Sequence, residues 1–141
     1  MTEKNEIGAL ILRVVLGFLF FIHGFVKFQG WIENIAGWFE SIHIPGFMAY
    51  VVAFIELVGG IALILGVATR IVSILFALVM AGAIITAKLP AGLLGNGQMA
   101  GYELDIAFLA IAVYLAVNGS RLLSLHQFVM NKNEIKMKKA A

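Results

Sequence analysis

Apolar residues run almost unbroken through four blocks of the chain: Ile7 to Val26, Gly46 to Ala68, Ile71 to Ala87 and Tyr102 to Val117. Helix rises about 1.5 Å per residue and the hydrocarbon layer is about 30 Å thick, so each block predicts a membrane span, the last two short and little tilted. Between the first two blocks, Trp31, Ile32, Ile35, Trp38, Phe39 and Ile42 recur at helical spacing, with Glu33, Asn34, Glu40 and Ser41 on the other face. That pattern predicts an amphipathic helix in the membrane interface, its tryptophans at headgroup depth, serving as a roof over the spans or only as an anchor. The expected fold is all-α: an integral membrane four-helix bundle with an additional interfacial amphipathic helix between spans 1 and 2. The spans fall at about 7–27, 46–68, 71–88 and 102–119, with residues 1–125 as one membrane domain and 126–141 as a basic tail.

Composition agrees with that class. The 141 residues are 62% hydrophobic and 13% charged, which leaves no room for a separate soluble catalytic domain. The first block is longer than a signal peptide, carries Arg13 and lacks a small-x-small cleavage site, so it reads as retained. The absence of cysteine excludes thiol redox chemistry, disulfides and cysteine-held iron–sulfur clusters within the chain. Four spans place Lys4, Arg70, Arg121, Lys132, Lys136, Lys138 and Lys139 on one side, Arg13 nearest to it, and only Lys27 and Lys88 on the other. The positive-inside rule then predicts both termini in the cytoplasm of a cell-membrane protein, with the tail lysines near anionic headgroups. Membrane lipid is the expected surrounding, and no nucleic-acid partner is expected.

The charges inside the spans are costly and therefore informative. In the first block Arg13, Gly17, Phe20, Gly24 and Lys27 share one helical face, while the opposite face is Leu, Ile, Val and Phe. An arginine near mid-bilayer costs about 2.5–3.5 kcal/mol on insertion scales, so it needs a partner. The expected one is Glu56, near the centre of the second block on a stripe with Ala49, Ala53, Gly60 and Leu63. An Arg13–Glu56 pair is readable both as a structural ion pair and as part of a ligand site. In the third block Ser73, Ala77, Ala81 and Ile84 form a packing face that leads to Lys88 at the outer rim.

Two further segments bear on the outer end. The run LPAGLLGNGQMAG is glycine-rich and uncharged, and reads as a lid or re-entrant loop or as a plain connector. In the fourth block Glu103, Ala107, Ala110 and Tyr114 share a face, which assigns Glu103 to the outer mouth beside His23, Lys27 and Lys88. Asp105 is expected on a different face, toward headgroups or a partner. A faint repeat also runs through the chain. Arg13, Lys27, Glu56 and Gly66 are echoed by Arg70, Lys88, Glu103 and Gly119, which predicts a site between two hairpins.

The run HGFVKF after Arg13, then IELVGGIALILGVATR, GYELDIAFLA and a closing NGSR, resembles the DoxX family of small four-helix membrane proteins from about Ile7 to Leu125. Within it the chain is similar to the CatD and MhqP branch, classed as oxidoreductases and linked to catechol and quinone stress. The motif positions carried over are Arg13, Gly17, His23, Gly24, Lys27, Glu56, Gly59, Gly60, Gly101 and Glu103. The polar cluster usual after the last helix is matched in part by Ser120, Arg121 and Ser124.

A quinone head group needs donors for its oxygens, a proton relay and apolar walls. Arg13 or Lys27 with His23 supply donors, Glu56 or Glu103 the relay, and Phe20, Phe54, Trp38 and Tyr114 the walls. The expected catalytic set is thus His23, Glu56 and Glu103; the expected ligand-binding set is Arg13, Lys27, Phe20, Trp38, Lys88 and Tyr114. No metal site is expected, and no flavin or nicotinamide fingerprint is present. No intrinsic cofactor is expected beyond a bound quinone, so electrons have to come from a soluble redox partner or a diffusing substrate. Association with a second copy stays open. Two functions follow: a membrane oxidoreductase component that binds a quinone or catechol-like aromatic, and a non-catalytic membrane scaffold or small-solute carrier for a partner enzyme.

Overall fold

A computed structural model describes residues 3–125 and 127–128. The basic tail expected over 126–141 otherwise lies outside the described residues. Five α-helices form: α1 Glu3–Val26, α2 Ile32–Ser41, α3 Phe47–Leu65, α4 Thr69–Ala83 and α5 Glu103–Asn118. Among the described residues there is no strand, only one isolated bridge between Gly95 and Ala100. Three helical stretches are long and apolar enough to cross a membrane: Glu3–Gly30, Phe47–Leu65 and Thr69–Ala91. The last helix, α5, is not among them; it has 16 residues and is about 24 Å long.

The first helix packs on α3 along a seam of small residues. A Cβ at Gly17 would meet the Gly60 carbonyl, and one at Gly24 would meet the backbone of Leu57 and Ala53. The two backbones therefore lie nearly in contact, the arrangement by which small residues hold helices together where no hydrophobic force drives association. Gly66 ends α3 in the left-handed region, φ 71°, with its amide and that of Val67 returned to Leu63 and Ala62. Such a glycine cap satisfies the last carbonyls and turns the chain directly into α4.

The second hairpin, α4 with α5, meets the first through large side chains. Phe20 stacks on Phe76 at 3.8 Å between ring centroids, and Phe108 tilts against Phe20 at 5.7 Å. Leu16, Leu63, Val72, Ala112 and Leu115 continue this core toward the end that carries the N-terminus.

Arg13 does not meet Glu56. It is buried and donates to the carbonyls of Ser120 and Leu123, 3.3 and 3.1 Å away, just beyond α5. The α1–α3 register explains the difference. Gly17 lies level with Gly60, so the guanidinium reaches the level of Gly66, where a Cβ would stand 2.6 Å from its Nη1. Glu56 is ten residues from Gly66, about 15 Å away along the axis. Glu6 adds a second clasp at the same end, accepting the amides of Arg121 and Leu122.

Candidate functional site

The end of the bundle away from Arg13 is built by two departures from α-helical geometry. After Val26 the chain enters a wide π turn, Lys27–Trp31, broken by Gly30 at φ 144°. After Ala83 a second π turn, Ile84–Lys88, carries α4 into a short 3-10 segment. Such wide turns shift the side chains that follow out of α-helical register, and they recur at functional sites. Here each one carries a lysine.

The two lysines meet carboxylates across their own hairpins. Lys27 Nζ donates to both carboxylate oxygens of Glu56, whose side chain is almost fully enclosed. Lys88 Nζ donates to Asp105 Oδ2 at 2.6 Å. A charge buried in a membrane bundle is tolerated when paired, which accounts for both contacts. The repeat seen in the sequence thus has a structural counterpart, with Asp105 in the place expected of Glu103.

Between the pairs lies a cavity of about 730 Å³. Its floor is Phe20, Phe108 and Met80, and His23 meets Phe108 edge-on at 6.5 Å. Trp38 and Phe39 on the apolar face of α2, with Ile42 just beyond its end, cover it. The helix predicted from amphipathic spacing therefore forms a cavity wall. The kink at Gly30 turns it back over α3, and His43, at φ 65°, turns the chain again into α3.

Six of the nine expected site residues line this cavity: Phe20, His23, Lys27, Trp38, Glu56 and Lys88. Arg13 lies at the opposite end of the bundle, and Tyr114 packs against the core lower on α5. Glu103 is exposed and outside the lining, whereas Asp105 is buried and inside it. The face assignment on α5 is therefore reversed. Glu103 is expected at the mouth on one face with Ala107, Ala110 and Tyr114, but Ala107 and Ala110 are exposed. The buried stripe is instead Asp105, Phe108, Ala112 and Leu115, at steps of three and four. Phe54, expected as a wall, is exposed on α3.

The glycine-rich run is not a lid. Asn96 Oδ1 accepts the amides of Gln98 and Met99 and folds the run on itself, and none of residues 89–102 lines the cavity. Among the described residues no group of three His, Asp or Glu side chains is placed to hold a metal ion.

Chemically, each pair sets an ammonium donor beside a carboxylate acceptor at the edge of an apolar, aromatic-floored space. Similarity to known proteins bears on what such a space serves. The DoxX family model matches residues 8–89, which covers α1 from its second turn, all of α2, α3 and α4, and the lysine of the wide turn after α4. A Bacillus subtilis (strain 168) protein described as "Putative oxidoreductase CatD" is 50% identical over 129 residues, 92% of each chain. "Inner membrane protein YqjF" of Escherichia coli (strain K12) is 31% identical over 70 residues, 50% of this chain and 53% of its own. No solved structure matches the chain. With the family model over more than half its length and a half-identical relative over 92% of it, this multi-pass membrane protein belongs to the DoxX family.

Proposed function

We propose that the protein is a membrane oxidoreductase component that binds a quinone or catechol-like aromatic in the cavity between its hairpins. The observation that carries this reading is the pair of Lys–carboxylate couples, Lys27–Glu56 and Lys88–Asp105, on the rim of one apolar cavity. A quinone offers only acceptors and its reduced form offers hydroxyl donors. A lysine beside a carboxylate answers both, since an ammonium holds three N–H groups and a carboxylate about four acceptor positions. Phe20 and Phe108 supply flat faces for the ring, and His23 a further polar group beside them. Reduction of the ring takes two electrons and two protons, the electrons arriving from a soluble redox partner. The similarity to a relative described as an oxidoreductase supports the same class.

In this reading α5 also crosses the membrane as a fourth span, both termini face the cytoplasm and the cavity opens in the outer half. The lysine and arginine bias supports it. A single cysteine introduced at Asn96 is then labelled by impermeant maleimide only from the outside, and labelling only from the cytoplasm refutes the orientation.

The binding test uses trimethylbenzoquinone and tryptophan fluorescence in a Trp31→Phe background, so that Trp38 is the reporter. Saturable quenching is expected, relieved by excess catechol. The change His23→Leu weakens binding by about 0.5–1.5 kcal/mol, the usual net contribution of one hydrogen bond, with helicity unchanged. Quenching that rises linearly without saturation ends the quinone reading and leaves the scaffold or solute-carrier function in front.

A further inference from the structure

The cavity is closed over its outer end and open at its side. Trp38 and Phe39 of α2 and the following Ile42 cover the top, and the aromatic cluster of Phe20, Phe76 and Phe108 closes the inner end. On the remaining side the wall is made by α3 and α4, and these two helices do not stay together. Near their connecting turn they touch closely, since a Cβ at Gly59 would stand 2.8 Å from the Phe76 ring. Higher up they part. A Cβ at Gly82 would meet nothing within 4 Å, although Gly82 lines the cavity.

The residues along the gap are accessible. Val51 on α3 and Leu75 and Leu78 on α4 line the cavity and are 40%, 38% and 64% exposed, which an enclosed pocket would not allow. In a membrane-spanning bundle the medium beyond such an opening is acyl chain. Lys27 and Lys88 stand on the two wide turns at the rim, whereas the wall between α3 and α4 is lined by Val51, Val52, Leu75, Leu78 and Val79. Polar contacts at the rim and an apolar wall facing sideways match a molecule of the same polarity pattern.

We infer that the gap between α3 and α4 is a lateral doorway, and that the ligand is an amphiphile whose ring sits between the lysine–carboxylate pairs while its hydrocarbon chain lies in the gap. This rests on the quinone reading of the cavity and narrows it. The ligand is a membrane-dissolved, chain-bearing ring that enters from the bilayer, and a freely water-soluble ring fills only the head of the site. Burial of each chain methylene beyond what lipid already provides adds little free energy. The chain's contribution therefore depends on shape, on whether the slot is clear.

The experiment compares trimethylbenzoquinone with its decyl derivative, both read by Trp38 quenching of the full chain in lipid nanodiscs. Partition enriches the decyl probe equally for every variant, so only ratios between variants are read. Gly82→Phe places a ring in the slot where the backbone leaves open space, and Gly82→Leu is a smaller obstruction of the same kind. Ile85→Phe, on a side chain 70% exposed and outside the cavity lining, is the control. Gly82→Phe is expected to weaken the decyl probe at least tenfold and the tailless probe less than twofold. Gly82→Leu falls between, and Ile85→Phe changes neither. Equal weakening of both probes by Gly82→Phe, or no change in either, overturns the doorway while leaving the ring site standing. Failure of both probes to bind the unmodified protein removes the ring site and the doorway together.

Discussion

In the α1/α3 hairpin the wide-turn lysine reaches a carboxylate 4% exposed, with its own side chain at 24%; in the α4/α5 hairpin the corresponding values are 8% and 32%. The two hairpins share a plan that extends to their opposite ends. Arg13 lies against the capping glycine of α3, Gly66, and Arg70 lies 3.2 Å from where a Cβ would stand on the glycine after α5, Gly119. Yet Arg13 is enclosed and holds two carbonyls, while Arg70 is exposed. The first hairpin is drawn together by glycine, backbone against backbone; the second presents Phe76, Met80 and Phe108 to the shared core. The difference shows a division of labour. One copy is the fixed frame, and the other is the copy whose helix can lean away from α3 and leave a cavity.

The largest expected effect sets the two ion pairs against each other. Lys27→Met alone strands an enclosed carboxylate and is expected to cost about 3–5 kcal/mol of stability, read as unfolding in mixed micelles. The double change Lys27→Met with Glu56→Gln recovers most of it, because an absent pair costs less than half a pair. Lys88→Met costs less, since its carboxylate partner retains more access to water. Arg13→Met with Glu56→Gln shows simple additivity, because those groups do not meet. Recovery in the Arg13 double variant, or equal costs for Lys27→Met and Lys88→Met, breaks the comparison.

Glycine separates the hairpins by a smaller margin. A Cβ at Gly24 would stand 2.5 Å from the Leu57 amide nitrogen, and neither backbone can move without parting α1 from α3. Gly24→Ala is expected to destabilise by about 1–3 kcal/mol, the usual range for overpacking. Gly82→Ala, in the second hairpin, is expected to be neutral or slightly stabilising, since alanine favours helix by about 1 kcal/mol and meets nothing there. Thermal unfolding of both variants in one detergent checks the sign. A neutral Gly24→Ala means that the seam is looser than its geometry.

Much of this organisation is legible in the chain. Hydrophobic block length locates the helices, and the spacing of Trp38, Phe39 and Ile42 locates the roof, because both depend on local periodicity. The partner of Arg13 is not legible in the same way. Helical faces say which residues look inward but not how far one helix slides along another. That slide is set by Gly17 on Gly60 and Gly24 on Leu57, and it places Glu56 opposite Lys27. The wide turns escape periodicity altogether, since a π turn shifts the face of every residue after it. On α5, helical arithmetic groups Glu103 with Ala107, Ala110 and Tyr114 but does not say which face turns inward, and the bundle buries the stripe through Asp105, Phe108 and Leu115.

That reversal on α5 supplies the smallest and sharpest difference. Asp105 and Glu103 are two residues apart, carry the same charge and belong to the same first turn of the helix. Only Asp105 reaches the cavity and holds Lys88, while Glu103 is exposed. Asp105→Asn keeps the shape and removes the charge that anchors the ammonium, so ring binding is expected to weaken by about 1–3 kcal/mol. Glu103→Gln changes an exposed side chain with no contact to the site and is expected to stay within about 0.5 kcal/mol in both binding and stability. The measurement is the trimethylbenzoquinone titration on both variants, with circular dichroism to show equal helicity. Weaker binding in Glu103→Gln with Asp105→Asn unchanged restores the small-residue face as the inner one, and the second hairpin then has no carboxylate at the cavity. Equal weakening in both points to the charge of the outer end as a whole and removes the specific role of the Lys88–Asp105 couple. Loss confined to Asp105→Asn leaves the duplicated lysine–carboxylate pair as the feature that the two hairpins hold in common and that the ring recognises.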